Sequence, residues 1–368
     1  MKFKVEHTSI KARAGYFETT RGRVETPVFM PVGTKASVKM MTSEDLEELG
    51  AKIILGNTYH LFLRPGSKLI QDLGELHGFM SWNKSILTDS GGYQVYSLSE
   101  LNKVTDTGVW FRSHIDGSKH FIGPTESMQI QRQLGSDIVM CFDECPALPC
   151  TKEKMEESLK KTHAWAKVCR EFELKDHQNL FGIVQGGLDL ELRKFSLETL
   201  RQYDFEGFAI GGLSVGEKNE EMRELLDNFT HYMPEDKPRY LMGVGKPLDI
   251  LQAVSTGVDM FDCVLPTRNA RNGQMLTSMG PMNIKNERYK TDNQPPDKNC
   301  SCKVCSRYTR AYIRHLYKAN EFSAGRLMTY HNLHFYLNMM REVRTSIRED
   351  KFDDYHLSFY KDFTSNNF

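Results

Sequence analysis

Two groups of residues in this chain have the types and spacing that chemistry requires. Cys300, Cys302 and Cys305 form a C-x-C-x2-C cluster, and two histidines, His331 and His334, follow together downstream. Three thiolates and one imidazole make a closed tetrahedral site for a single Zn2+ with no position left for substrate, so the expected role of that metal is structural. Either histidine could complete the set. The second group is dispersed: Asp89, Asp143, Gln185, Gly212, Met242 and Asp262 each stand where a short apolar run ends. Asp and Gly are common after strands, but three carboxylates arriving in this way point to one site capable of acid–base or nucleophilic work.

Something must bring these positions together. Eight apolar runs of strand length stop at glycine or a polar residue, at 27–33, 53–57, 86–92, 137–144, 180–187, 208–212, 240–245 and 260–266. Their continuous apolar character predicts strands buried on both faces, as in a parallel sheet. The intervening stretches read as helices. After Thr151, a residue suited to an N-cap, Met155, Leu159, Trp165, Cys169 and Phe172 fall on one face, and Met222, Leu225, Leu226, Phe229 and Met233 repeat the pattern. Pro247 and Gly257 bracket a third helix. Eight alternations predict an α/β fold, a (β/α)8 TIM barrel with insertions, whose site lies at the C-terminal strand ends. The expected organisation is one catalytic domain over 1–368 with a C-terminal zinc-binding subdomain at 285–340 within it.

Composition excludes some classes. The 39% hydrophobic and 26% charged fractions are those of a globular protein, and 48 basic against 48 acidic residues give no compositional sign of a nucleic-acid partner. No apolar run is long enough to cross a bilayer and the first residues carry no secretory h-region, so a cytoplasmic, reducing location is expected. Cys141, Cys150, Cys169 and Cys263 are expected to pack as small hydrophobes, whereas Cys145, just past Asp143, could line the site.

The segments TDSGGYQV (88–95), CFDEC (141–145), GIVQGG (182–187), AIGGLSVGE (209–217), YLMGVG (240–245) and FDCVLPTRNARNG (261–273), with the Cys3His set, resemble bacterial tRNA-guanine transglycosylases in order over nearly the whole chain. The resemblance implies a zinc-containing barrel that replaces guanine at the wobble position of tRNAs with GUN anticodons by a queuosine precursor. It selects His331 as the fourth metal ligand. It implies that Asp262 is the nucleophile that holds the RNA covalently and that Asp89 is the general acid/base. Asp143 would take the ring N–H and exocyclic amine of the base. Gln185 and the Gly212 N–H would take its carbonyl, Tyr93 and Met242 would sandwich its ring, and Ser90, Gly211 and Leu213 would complete the pocket.

On the RNA side the same resemblance points to Gly243, Gly245 and Lys246 and to the arginine-rich loop Thr267, Arg268, Asn269, Ala270 and Arg271. Gly245-Lys246 is not a phosphate-binding P-loop, because Pro247 stands in place of Ser/Thr and Tyr240 in place of the first glycine. Cys145 and Val215 match the bacterial pattern, and a valine there leaves little room for a cyclopentenediol. The expected incoming base is therefore 7-aminomethyl-7-deazaguanine (preQ1), with queuine as the alternative; Ser214 stands where the family has alanine. A non-catalytic RNA-binding subunit is the rival reading, against which the three carboxylates argue. A homodimer is implied, with 308–340, rich in aromatic and basic residues, as a candidate interface.

Overall fold

The computed structural model describes residues 1–98 and 102–365. Its centre is a closed barrel of eight parallel strands: Val28–Gly33, Ile53–Gly56, Ser85–Thr88, Ile138–Met140, Asn179–Val184, Gly207–Ile210, Arg239–Leu241 and Met260–Cys263. The eighth pairs with the first, Met260 opposite Val28 and Asp262 opposite Met30. All eight expected strands are present. The first runs to Gly33 as expected, while the other seven ladders stop before the expected C-terminal ends, because the polar and glycine residues there peel away to build the site.

Strand parity explains both the apolar runs and the site. Val28, Met30, Val32, Ile53, Leu55, Leu87, Ile138, Met140, Phe181, Ile183, Ala209, Tyr240 and Met260 fill the barrel interior. Their neighbours Phe29, Ile54, Ile86, Val139, Leu180 and Phe261 pack outward against helices. Side chains in a strand alternate with period two. Two residues beyond the interior positions Leu87, Ile183, Ala209, Tyr240 and Met260 stand Asp89, Gln185, Gly211, Met242 and Asp262. Asp143 breaks this parity: Cys141 and Phe142 both join the outer core, and the chain then turns Asp143 back inward.

The helices Lys152–Glu171, Asn219–Phe229 and Pro247–Ser255 form as expected. Thr151 caps the first, its hydroxyl accepting from Lys154 N at 3.3 Å. The second ends four residues earlier than the apolar pattern, where a 3-10 turn, Thr230–Tyr232, takes over.

Three additions were not expected. An antiparallel sheet, Lys2–Ser9, Ala12–Thr19 and Gly22–Thr26, adds Phe17 and Val24 to the interior core. A second, Asn102–Val104, Val109–Arg112 and Lys119–Ile122, is inserted between the third strand and its returning helix Pro124–Leu134. A hairpin, Gln274–Thr277 with Gly280–Asn283, leads into the cysteine cluster. The chain ends in helices Arg310–Lys318, Phe322–Arg348 and Phe352–Thr364. No described helix is long and apolar enough to cross a membrane.

Candidate active site

A cavity of about 410 Å3 opens at the C-terminal end of the barrel. It gathers Asp89, Ser90, Tyr93, Asp143, Gln185, Gly211, Gly212, Leu213, Met242 and Asp262, together with Gly243, Gly245, Lys246, Arg268, Cys145 and Val215. Residues spread over more than 170 positions thus meet as the barrel rule requires.

Each carboxylate is held differently. Asp89 is buried and accepts from Asn57 Nδ2 at 2.5 Å and Gln94 Nε2 at 2.8 Å on one oxygen, and from Thr58 N at 2.7 Å on the other. Burial, with the charge of Asp262 adding to it, pushes its pKa up to about 6 against these hydrogen bonds. That value suits a group that must both give and take a proton near neutrality. Asp143 accepts from Gln185 Nε2 at 2.7 Å and Ser90 Oγ at 3.3 Å, and burial raises it to about 6 as well. Asp262 takes both of its donors on one oxygen, from Tyr240 Oη at 2.5 Å and Gly243 N at 2.8 Å. Burial raises its pKa, while those two donors oppose the rise. Its second oxygen has no protein hydrogen bond among the described residues and is free to face a reacting carbon.

The walls are less polar. Tyr93 is half exposed, at 48%, on one side, and Met242 lies on another, partly buried against the interior core. Cys145 does line the cavity; burial and the neighbouring Asp143 push its thiol up to about 12, so it is neutral and not a nucleophile. Gln185 already donates to Asp143, and its Oε1 is buried without a partner among the described residues.

The residues expected on the RNA side divide. Gly243 has φ +73° and open space where a Cβ would be, so glycine is needed there for the turn that aims its N–H at Asp262. Gly245 is glycine for packing: a Cβ would stand 2.1 Å from that of Cys263. Lys246 is exposed at the start of helix Pro247–Ser255. The expected loop Thr267–Arg271 is instead part of a short helix, Leu265–Arg271. Thr267 (3% exposed) and Ala270 (0%) face the core, so their side chains serve packing. Asn269 donates to Gln274 Oε1 at 2.7 Å. Arg268 is exposed on the cavity wall, while Arg271 is partly buried with Nη1 unpartnered among the described residues.

Sequence reasoning missed the supports. Asn57, Thr58 and Gln94 hold Asp89, and Tyr240 holds Asp262; Asn57 sits at a strand end and Gln94 in TDSGGYQV, so both were within view. Arg193 left no local signal. Fully buried on the helix Leu190–Arg201, it donates to Gly187 O at 2.7 Å, Val184 O at 3.2 Å and Gly211 O at 2.9 Å, tying the ends of strands five and six together behind the pocket. Glu217 accepts from Ser214 N and Val215 N and shapes the turn in which Ser214 takes φ 59°.

The metal-ligand atoms of Cys300, Cys302, Cys305 and His331 all lie within 4.8 Å of one another. His331 Nδ1 is 3.8, 3.5 and 3.3 Å from the three sulfurs in turn. A tetrahedral zinc with ordinary bond lengths puts sulfur and nitrogen about 3.6 Å apart, so the donor set fits that ion. His331 Nε2 faces Leu276 O at 2.7 Å, which turns Nδ1 to the sulfurs. His334 reaches Cys300 alone, at 3.5 Å. Asn332, which follows His331, donates to Pro266 O and Gln274 O and accepts from Leu276 N, and Tyr336 on the same helix donates to Gly245 O. The metal-bearing helix therefore braces both segments that flank Asp262.

The family described as queuine tRNA-ribosyltransferase matches residues 8–365. Proteins named queuine tRNA-ribosyltransferase from Halothermothrix orenii and Fusobacterium nucleatum are 52% and 54% identical to it, over 98% and 97% of this chain and 97% and 96% of their own. One of the same name from Francisella tularensis subsp. novicida is 52% identical over 98% of both chains.

Proposed function

Because the chain belongs to the queuine tRNA-ribosyltransferase family, and is thus a tRNA-guanine pentosyltransferase, we propose that it exchanges guanine 34 of GUN-anticodon tRNAs for preQ1 by double displacement. The free oxygen of Asp262 attacks the ribose anomeric carbon as the bond to guanine breaks, and protonated Asp89 supplies the proton to the leaving ring nitrogen. The incoming base loses its proton to Asp89 and displaces Asp262, giving net retention. Asp143 and Gln185 read the base, Gly212 N–H adds a donor, and Tyr93 and Met242 hold the ring. The base must leave its stack to enter this cavity.

The observation that carries the reading is the pairing of a carboxylate with one unpartnered oxygen, Asp262, with an acid poised at about 6, Asp89, in one cavity. The test is a denaturing gel of enzyme with tRNA. A covalent band is expected, and Asp262→Asn should abolish it; an unchanged band would remove Asp262 as nucleophile. A chain that binds tRNA but never releases labelled guanine would be the non-catalytic subunit.

Cys145 and Val215 on the cavity wall support preQ1 over queuine. Competing the two bases for entry into guanine-labelled tRNA decides this, and preference for queuine overturns it. The Cys3His cluster would hold one Zn2+ as a brace for the 265–283 region, with no part in bond making. We also read 1–368 as one catalytic domain with a 285–340 zinc subdomain, active in the cytoplasm, where thiols stay reduced. The exposed Tyr312 (45%) and Phe322 (87%) support a homodimer through 308–340, and a monomeric mass in solution at working concentration would refute it.

A further inference from the structure

The sheet inserted after the third barrel strand has one face that the core does not use. Val109, Phe111 and Ile122 are at most 1% exposed and pack inward. The register pairs Lys103 with Trp110, Trp110 with Phe121, and Arg112 with Lys119, so these five residues share the opposite, outward face. Trp110 is 41% exposed, its ring 5.0 Å from that of Phe121, with Lys119 Nζ 4.6 Å above it. No carboxylate among the described residues pairs with Lys103, Arg112 or Lys119. Among the described residues the nearest acids in sequence, Asp106 and Asp116, sit in the turns, where Asp116 accepts from Ser118 N and Oγ at 3.2 and 2.7 Å.

The face also adjoins the catalytic end. The insertion occupies a strand-to-helix connection, the barrel end that carries the cavity. From its second turn, His114 Nδ1 meets Tyr59 Oη at 2.9 Å, and Tyr59 directly follows Thr58, which holds Asp89. A solvated sheet face ordinarily mixes charges of both signs. Two aromatics bracketed by three cations that have no carboxylate partner among the described residues, Arg112 donating only to Gly117 O at 3.0 Å, are instead the elements of a surface that stacks bases and tracks phosphates.

We propose that the outward face of the 102–122 sheet is a second RNA-binding surface, on which Trp110 and Phe121 stack an unpaired base of the tRNA while Lys103, Arg112 and Lys119 meet its phosphates. The proposal rests on tRNA being the substrate. Trp82 (0% exposed) and Trp165 (2%) are buried, which leaves Trp110 as the tryptophan that reports contact. The full-length, metal-loaded protein is titrated with tRNA while tryptophan emission is followed, and guanine exchange is measured for wild type, Trp110→Ala, Trp110→Phe and an Arg112→Gln/Lys119→Gln double variant. Stacking of this kind predicts quenching in wild type that Trp110→Phe loses. It predicts about a tenfold rise in KM for tRNA with kcat within about twofold in Trp110→Ala, and retention of most affinity in Trp110→Phe. The double variant should lower the slope of log affinity against log salt by about two. Unquenched wild-type emission with an unchanged KM in Trp110→Ala overturns the proposal, and so does a variant that alters only the oligomeric state. If wild type quenches with tRNA yet never releases guanine, the catalytic reading fails and this surface stands.

Discussion

Asp143→Asn should stabilise the protein as it disables it. Asp143 is 6% exposed, and burial raises its pKa from 3.8 to about 6, about two units at roughly 1.4 kcal/mol each. The native state therefore holds this proton more tightly than the unfolded chain does. The stabilisation is fully present below about pH 4 and is lost as pH rises through about 6, so at pH 8 the ionised carboxylate costs about 3 kcal/mol. Asparagine has the same shape and no charge to desolvate. Its oxygen can accept from Gln185 Nε2, and its amide can donate to the buried, unpartnered Gln185 Oε1 or to Ser90 Oγ. Urea unfolding from pH 5 to 8 is the assay: the variant should exceed wild type by up to about 3 kcal/mol at pH 8, with the gap closing toward pH 5. Guanine exchange should be lost, since an amide cannot accept from both the ring N–H and the amine. A variant no more stable at pH 8, or a gap independent of pH, would refute the claim that burial sets this carboxyl's proton affinity.

Other perturbations probe the supports. Tyr240→Phe removes a donor that holds Asp262 ionised, so the acid limb of kcat/KM should move toward higher pH; an unmoved limb would deny that coupling. Arg193→Met leaves three buried carbonyls without their donor and should cost about 3 kcal/mol or more in urea unfolding, while raising KM for the base. Cys302→Ser, at a 3% exposed ligand, should take bound zinc from about one per chain to none and lower the melting temperature. Full zinc content in that variant would move the site elsewhere.

How much of this was legible in advance depended on range. The eight strands were readable because a strand packed on both faces needs apolar residues at every position. The metal ligands were readable because three thiols fall within six residues. The N-terminal sheet was missed although Lys2-Phe3-Lys4-Val5 alternates, since short amphipathic strands are easily taken for loops. The arginine-rich segment read as a loop from its polarity, yet it packs as a helix against the long C-terminal helix with Thr267 and Ala270 buried, and that burial outweighs a weak local preference.

The sequence by itself determined which residues could act: the carboxylates at strand ends, the ligand set to within one histidine, and the family whose motifs they share. Only the tertiary structure decided how each is held. Asp262 keeps one oxygen free because Tyr240, twenty-two residues away in sequence but on the neighbouring strand, donates to the other, and Arg193 acts on the pocket from an outer helix through carbonyl groups of two strands. Proton affinities likewise came from burial and from charges brought near by folding. Hydrogen bonds and desolvation depend on distances in space, and local sequence patterns carry no record of those distances.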